Sequence, residues 1–423
     1  MLKKHIKAAI VILIVSVTLC GCGQIYNNTE VKDAMSDVNN EYMKAMWLSQ
    51  YDMKDVYTDG GKQREKGDFL ERVDRILDNM VSIGINTVIV QVRPFADSMY
   101  PSELYPMSSF VVGKYGKDAD YDPFSVILDK AHERGMELHA WINPMRAMTD
   151  EEIKLVPRGF LIREWYESEH TRGKYIVRVD GRWYLDPAYA EVRSLIAEGA
   201  AEIVALYDVD GVHMDDYFYP TTDESFDCEA YAEYKAAGGE CELAQFRRDN
   251  VSRMVKEIYS AVKAAKSDVT FGISPAGVMK NNYNKLFADV KRWCSEKGYL
   301  DYICPQIYFG FEHDTCAFDK LCFEFSDMVK AEGVRLIIGM TLGKAYSEYD
   351  RYAGSGAYEW RDNKDVLLRE LEYSLAMEKC SGVCYFSYQY FFDPMTNEAV
   401  ERTSAEREKL LPLLKTAKTE GDV

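Results

Sequence analysis

The sequence predicts an α/β fold: a closed (β/α)8 TIM barrel with extended loops on its C-terminal face. Three observations lead there. Eight short apolar runs recur along the 423 residues. Stretches with helical spacing separate them, so strand and helix alternate. Polar residues gather where the runs end, the face on which such barrels build their sites. A doubly wound open sheet is the competing layout, but no glycine-rich phosphate turn follows the first run.

Taken in order, the chain opens with a basic "MLKKHIK" and an apolar "AAIVILIVSVTL", the two parts of an export signal. "LCGC" follows, Leu19 to Cys22. It resembles the bacterial lipobox, in which the final cysteine is lipidated. Residues 1–22 are therefore expected to be a lipoprotein signal with Cys22 as the lipidated residue, in preference to a plain transmembrane anchor. Residues 23–43 are polar and read as a tether. The expected address is the cell membrane, lipid-anchored on the extracytoplasmic face.

The barrel is expected over residues 44–412 and a C-terminal tail over 413–423. Its eight runs are "KAMWLSQY", "NTVIVQVR", "ELHAWINP", "GVHMDDYF", "TFGISPAG", "YICPQIYF", "RLIIGMTL" and "GVCYFSYQ". Several are nearly continuous in apolar residues, as strands covered on both faces must be. Between them, "GDFLERVDRILDNMVSIG" sets Phe69, Leu70, Val73, Ile76, Leu77 and Met80 on one stripe. "DPFSVILDKAHERG" has Asp122 as a cap before Pro123. Two connections are long. Met145 to Leu185 contains Asp180-Gly181, a hairpin turn signal. Thr221 to Glu242 follows the fourth strand, and both connections fall on the C-terminal face.

Composition narrows the function. The net charge of −18 argues against nucleic acid and against attachment to anionic lipid through basic residues. Thirty tyrosines suit sugar contacts or a tyrosine-rich core. Eight cysteines remain besides Cys20 and Cys22, without a CxxC pair. No metal and no organic cofactor are expected, and the chain is expected to be a monomer. Export permits some of those cysteines to pair.

The strand ends supply the candidate site. Asp215 and Asp216 end the fourth strand side by side. Alternation turns them to opposite sides. Proximity should split their proton affinities, leaving one as a proton carrier. Glu103, on the rigid loop after strand two, is the expected second catalytic carboxylate, with Asp97 next. Arg93, Asp97, Trp141, Asn143, Arg146, His213, Tyr217, Gln306 and Tyr308 are expected to hold a substrate. For Asn143 that means a sugar hydroxyl or acetamido group, for Trp141 stacking, and for Arg146 a carboxylate.

Five runs carry a resemblance: "INTVIVQVRPFADSMYPSELYPMSS", "DYDPFSVILDKAHERGMELHAWINPMRA", "YDVDGVHMDDYFYP", "FGISPAGV" and "DYICPQIYF". They resemble the family 10 glycosyl hydrolase-like proteins over about Lys44 to Ala399. The resemblance implies a (β/α)8 fold and glycoside hydrolysis at the strand ends. It includes a lipoprotein that hydrolyses peptidoglycan strands stripped of peptides. More remotely, "DGVHMDDY" is similar to the D-G-x-D-x-D-x-E of chitinase-type barrels, with Asp215 at the last Asp and Tyr217 where the acid Glu stands. The expectation is a lipid-anchored hydrolase of wall glycan or a related amino-sugar polymer. A glycan-binding protein without turnover, or a hydrolase of another polysaccharide, are the alternatives.

Overall fold

The computed structural model describes residues 42–417. Residues 1–41 and 418–423 lie outside them, and with them the expected export signal, Cys22, most of the expected tether and part of the expected tail. Eight parallel strands close into a barrel. They are β1 (Met43–Leu48), β2 (Thr87–Arg93), β3 (Glu137–Ile142) and β4 (Gly211–Met214), then β5 (Thr270–Ile273), β6 (Tyr302–Ile303), β7 (Arg335–Thr341) and β8 (Cys380–Phe386). Each of the eight apolar runs contributes one. Closure is made by β1, which pairs with β2 on one side and β8 on the other.

Eight helices cover the outside. They are α1 (Lys66–Ser82), α2 (Pro123–His132), α3 (Ala190–Leu206) and α4 (Leu243–Ala265), then α5 (Val290–Ser295), α6 (Phe318–Met328), α7 (Val366–Leu375) and α8 (Ser404–Thr416). In α1 five residues of the stripe read from the sequence are buried, Phe69, Val73, Ile76, Leu77 and Met80, while Leu70 at its edge is only partly covered. Each such side chain contributes about 1.5–3 kcal/mol on burial. The Asp122 carboxylate caps α2 by accepting from the backbone N–H of Phe124 and Ser125. Helix α8 runs past Pro412 to Thr416, so the expected boundary at 412 falls inside a helix. A prolyl residue lacks only one donor, and packing of Leu410 and Leu414 carries the helix through it.

Inside the barrel, strand alternation points Met43, Ala45, Trp47, Ile89, Trp141, Tyr302, Cys304, Ile337 and Cys384 inward as a second core. Gly272 leaves room there, since a Cβ would collide with the Tyr302 ring. All eight cysteines among the described residues are unpaired.

A polar chain threads this interior, and donor chemistry fixes its direction. Trp47 Nε1, which can only donate, lies 3.1 Å from His213 Nε2. His213 therefore carries its proton on Nδ1 and gives it to the Tyr302 hydroxyl at 2.7 Å. That hydroxyl in turn donates to His139 Nδ1 at 2.9 Å. The remaining His139 proton sits on Nε2, facing Glu137 at 3.7 Å.

The long connection after β3 folds into a small antiparallel sheet. Strands Ile176–Val179 and Arg182–Leu185 pair, and Arg146–Thr149 adds to the second. The turn between them is Asp180-Gly181, with φ of 49° and 83°. Two positive φ values are what a tight hairpin needs, and aspartate then glycine tolerate them best. After β4, the connection is pinned by a buried pair, Arg247 on α4 with Asp227. Arg247 also donates to the carbonyls of Thr222 and Asp223.

Candidate active site

A cavity of about 230 Å³ opens at the C-terminal end of the barrel. Its lining includes Trp47, Trp141, Arg146, Asp215, Asp216, Tyr217, Ser274, Gln306, Tyr308 and Phe386. The fourth strand ends there, which is why its two carboxylates stand at the mouth.

The two have different surroundings. Asp215 is 3% exposed and heavily held. Its Oδ2 accepts from Trp141 Nε1 at 2.9 Å and Asn143 Nδ2 at 2.7 Å. Its Oδ1 accepts from the Tyr217 amide at 3.2 Å. Asn143 is itself oriented, because its Oδ1 accepts from Gln91 Nε2 at 2.7 Å. Gln91 Oε1 accepts in turn from the Gln50 amide. Asp216 is half-buried and accepts from Gln306 Nε2 at 3.2 Å.

Burial raises both carboxyls above the ordinary aspartate range. For Asp215 the neighbouring Asp216 charge adds to the rise. The pair therefore holds a proton to higher pH than isolated aspartates would. Three donors on Asp215 favour its anion, so Asp216 is the better place for that proton. Arg146 acts on both as a nearby cation. Its guanidinium is sandwiched between Phe95 and Tyr217, 4.7 and 4.4 Å from the ring centroids. Arg146 Nε and Ser274 Oγ, on two residues that line the cavity, are buried without a hydrogen-bond partner among the described residues.

The structure gathers seven of the expected residues around the cavity: Asp215, Asp216, Trp141, Arg146, Tyr217, Gln306 and Tyr308. The others it places elsewhere. Glu103 is exposed and lines a separate hollow with Ser102, Asp118 and Glu202. Its backbone N–H donates to Glu202, which turns the loop toward α3 instead of toward β4. Asp97 is fully buried, accepting from the Phe95 amide and the Tyr115 hydroxyl, so it ties its own loop. Arg93 points outward to α3, donating to Tyr100 and the Gly199 carbonyl. The cause is an irregularity in β2. Gln91 pairs with Trp141, but Arg93 pairs with Ile142, so the register slips and Arg93 leaves the inward face. His213 lies one layer below the cavity, bonded to Trp47 and Tyr302. Burial lowers its pKa and keeps it neutral. Asn143 is buried behind the cavity and donates to Asp215.

Residues without an expected role also line the cavity: Trp47, Ser49, Gln50 and Tyr51 from the end of β1, and Phe386 from β8. The signal for Trp47 was its parity with Met43 and Ala45. Ser49 caps the short helix Gln50–Tyr57 in a reciprocal box with Asp52. Asp52 also accepts from Ser387 Oγ and the Gln389 amide, tying β1 to β8 beneath the mouth.

The model of the family described as glycosyl hydrolase-like 10 matches residues 42–350. The chain belongs to the glycosyl hydrolase-like 10 family. Glycosyl hydrolase DigH of Escherichia coli K12 is 31% identical, over 94% of this chain and 96% of that protein. Glycosyl hydrolase YngK of Bacillus subtilis is 34% identical, over 74% of this chain and 62% of that one. The PgaB (BpsB) glycoside hydrolase domain of Bordetella bronchiseptica shares the fold. Its TM-score is 0.57 at 14% identity, over 87% of this chain and 98% of that one. The chain is thus an enzyme of the glycoside hydrolase class, and its cavity sits where barrels of that class hold their sites.

Proposed function

We propose that this enzyme is lipid-anchored at Cys22 on the extracytoplasmic face and cleaves wall glycan stripped of its peptides, or a related amino-sugar polymer. One observation carries the catalytic part: adjacent carboxylates of raised proton affinity at the mouth of a cavity walled by aromatic rings. Asp216 donates its proton to the glycosidic oxygen as the carbon–oxygen bond breaks. Asp215, held as an anion by three donors, offsets positive charge developing on the sugar. A water then adds to the anomeric carbon, and its proton returns to Asp216. Trp47, Trp141, Tyr308 and Phe386 give flat apolar faces for sugar rings. Arg146, Tyr217 and Gln306 position the sugar. The "LCGC" at Leu19–Cys22 supports the anchor.

The test is incubation of the full-length chain, in detergent, with denuded wall glycan, followed by mass spectrometry of the products. Asp216→Asn is expected to lower turnover by about 10²–10⁴-fold, the usual worth of a general acid, with glycan binding kept. Unchanged turnover removes Asp216 from the mechanism. Tyr217, at the chitinase-type acid position, favours a second reading, a glycan-binding protein without turnover. Binding of the strands with no products from the unaltered chain would establish it.

A further inference from the structure

The connection from β7 to α7, residues 342–365, exposes four tyrosines. Tyr346, Tyr349, Tyr352 and Tyr358 are 41, 51, 69 and 46% exposed. The connection itself is held firmly. The buried Glu359 carboxylate accepts from the amides of Phe311 and Glu312 at 3.0 and 2.9 Å. Asp350 accepts from Lys344 Nζ and from the Tyr352 amide. The Ser355 amide donates to Asp314. Trp360, buried at 2% exposure, supplies the packing of this segment, so its core does not need the four outer rings. Large aromatic faces kept in water on a fixed backbone mark a binding surface.

One of these rings, Tyr346, is linked to the cavity through ring contacts. Tyr346 packs on Tyr390 with centroids 5.9 Å apart, and Tyr390 on Phe386 at 6.4 Å. Phe386 in turn meets Tyr308 at 5.8 Å and Trp47 at 6.2 Å, both at the cavity. Tyr349 and Tyr358 pair with each other at 5.2 Å. Arginines lie against three of the rings: Arg402 on Tyr346, Arg351 on Tyr352 and Arg361 on Tyr358. Each stack steadies a ring and leaves its remaining surface to solvent. At about 230 Å³ the cavity is smaller than the roughly 300–1,000 Å³ of a typical ligand site. A polymer cut there must run out across the mouth.

We propose that Tyr346, Tyr349, Tyr352 and Tyr358 form a platform for sugar units flanking the cleaved bond. Flat ring faces receive the C–H faces of sugars, and the phenol groups hydrogen-bond their hydroxyls. The ligand is an extended glycan chain, and the inference rests on the amino-sugar polymer reading of the cavity. The platform makes the enzyme select long chains.

The experiment compares the full-length chain with the variant Tyr346→Ala/Tyr349→Ala/Tyr358→Ala. The probes are denuded wall glycan in a long fraction and a tetrasaccharide of the same repeat. Binding is read by affinity electrophoresis, and cleavage separately by product analysis. The variant should bind the long fraction about tenfold more weakly and show a matching rise in KM, as expected for losing three ring contacts. Its kcat on either probe, and its KM on the tetrasaccharide, should stay within about twofold. Tyr346→Trp/Tyr349→Trp/Tyr358→Trp, which keeps rings in place, should retain long-chain binding. Equal effects on both lengths, or none on either, overturn the platform. Length-dependent binding lost in the variant, with no cleavage by the unaltered chain, leaves the platform standing and removes hydrolysis. Failure to bind glycan of either length removes both.

Discussion

Asn143→Leu tests whether Asp215 is held as an anion. The substitution keeps the volume nearly constant and deletes the shortest of three N–H bonds to that carboxylate, the one of 2.7 Å. Asp215 is 3% exposed, so water cannot replace the lost donor. A hydrogen bond to a charged group contributes about 1.5–3 kcal/mol. At about 1.36 kcal/mol per pKa unit, the Asp215 carboxyl rises by roughly one to two units. The donor favoured the charged form, so its loss favours the protonated one. As pH falls, the variant must reach inactivating protonation earlier. The acid limb of kcat/KM against pH should move upward by one to two units relative to the unaltered enzyme. Circular dichroism would confirm that the fold is kept. An acid limb that stays in place while activity drops equally at every pH would refute the reasoning. Asn143 would then serve only to fill space beside Gln91.

Two further perturbations probe the scaffold. Arg247→Met leaves Asp227 charged, buried and without its partner, which should destabilise the fold by about 3–5 kcal/mol in urea unfolding. Glu406 caps the start of α7 by accepting from the amides of Val366 and Leu367, yet burial raises its carboxyl to about 7. A raised carboxyl stabilises fully below its unfolded pKa, and that contribution is lost as pH climbs through about 7. Glu406→Gln should therefore flatten the fall in Tm between pH 5 and 8, a slope worth on the order of 3 kcal/mol. An unchanged slope would place the titration elsewhere.

Much of this was readable in the residues. Each apolar run became a barrel strand because inward and outward faces are both covered, which the composition of the runs records. Asp180-Gly181 announced its hairpin, and the aspartate pair announced the mouth. The misplacements have two causes. Arg93 has the inward parity of Gln91, and only the register slip between them, a feature of strand pairing, turns it outward. Glu103 and Asp97 lie on a loop without periodicity, so nothing in the chain tells which way a side chain points. One is drawn toward α3 by Glu202, the other inward by Phe95 and Tyr115. Trp47 escaped notice because β1 ends without an acidic residue to draw attention to it.

The one-way sequence of donors from Trp47 through His213 and Tyr302 to His139 has a consequence for life in acid. It accommodates no additional proton. Protonating His213 would set its Nε2 hydrogen against the Trp47 indole hydrogen, two donors meeting head on. Burial already depresses the His213 pKa, so the stability this imidazole contributes is present above the unfolded histidine range and fails as pH drops through its lowered value. Acid loosening should thus begin beneath the Trp47 indole that lines the cavity, and the mouth would lose its shape before the outer helices part.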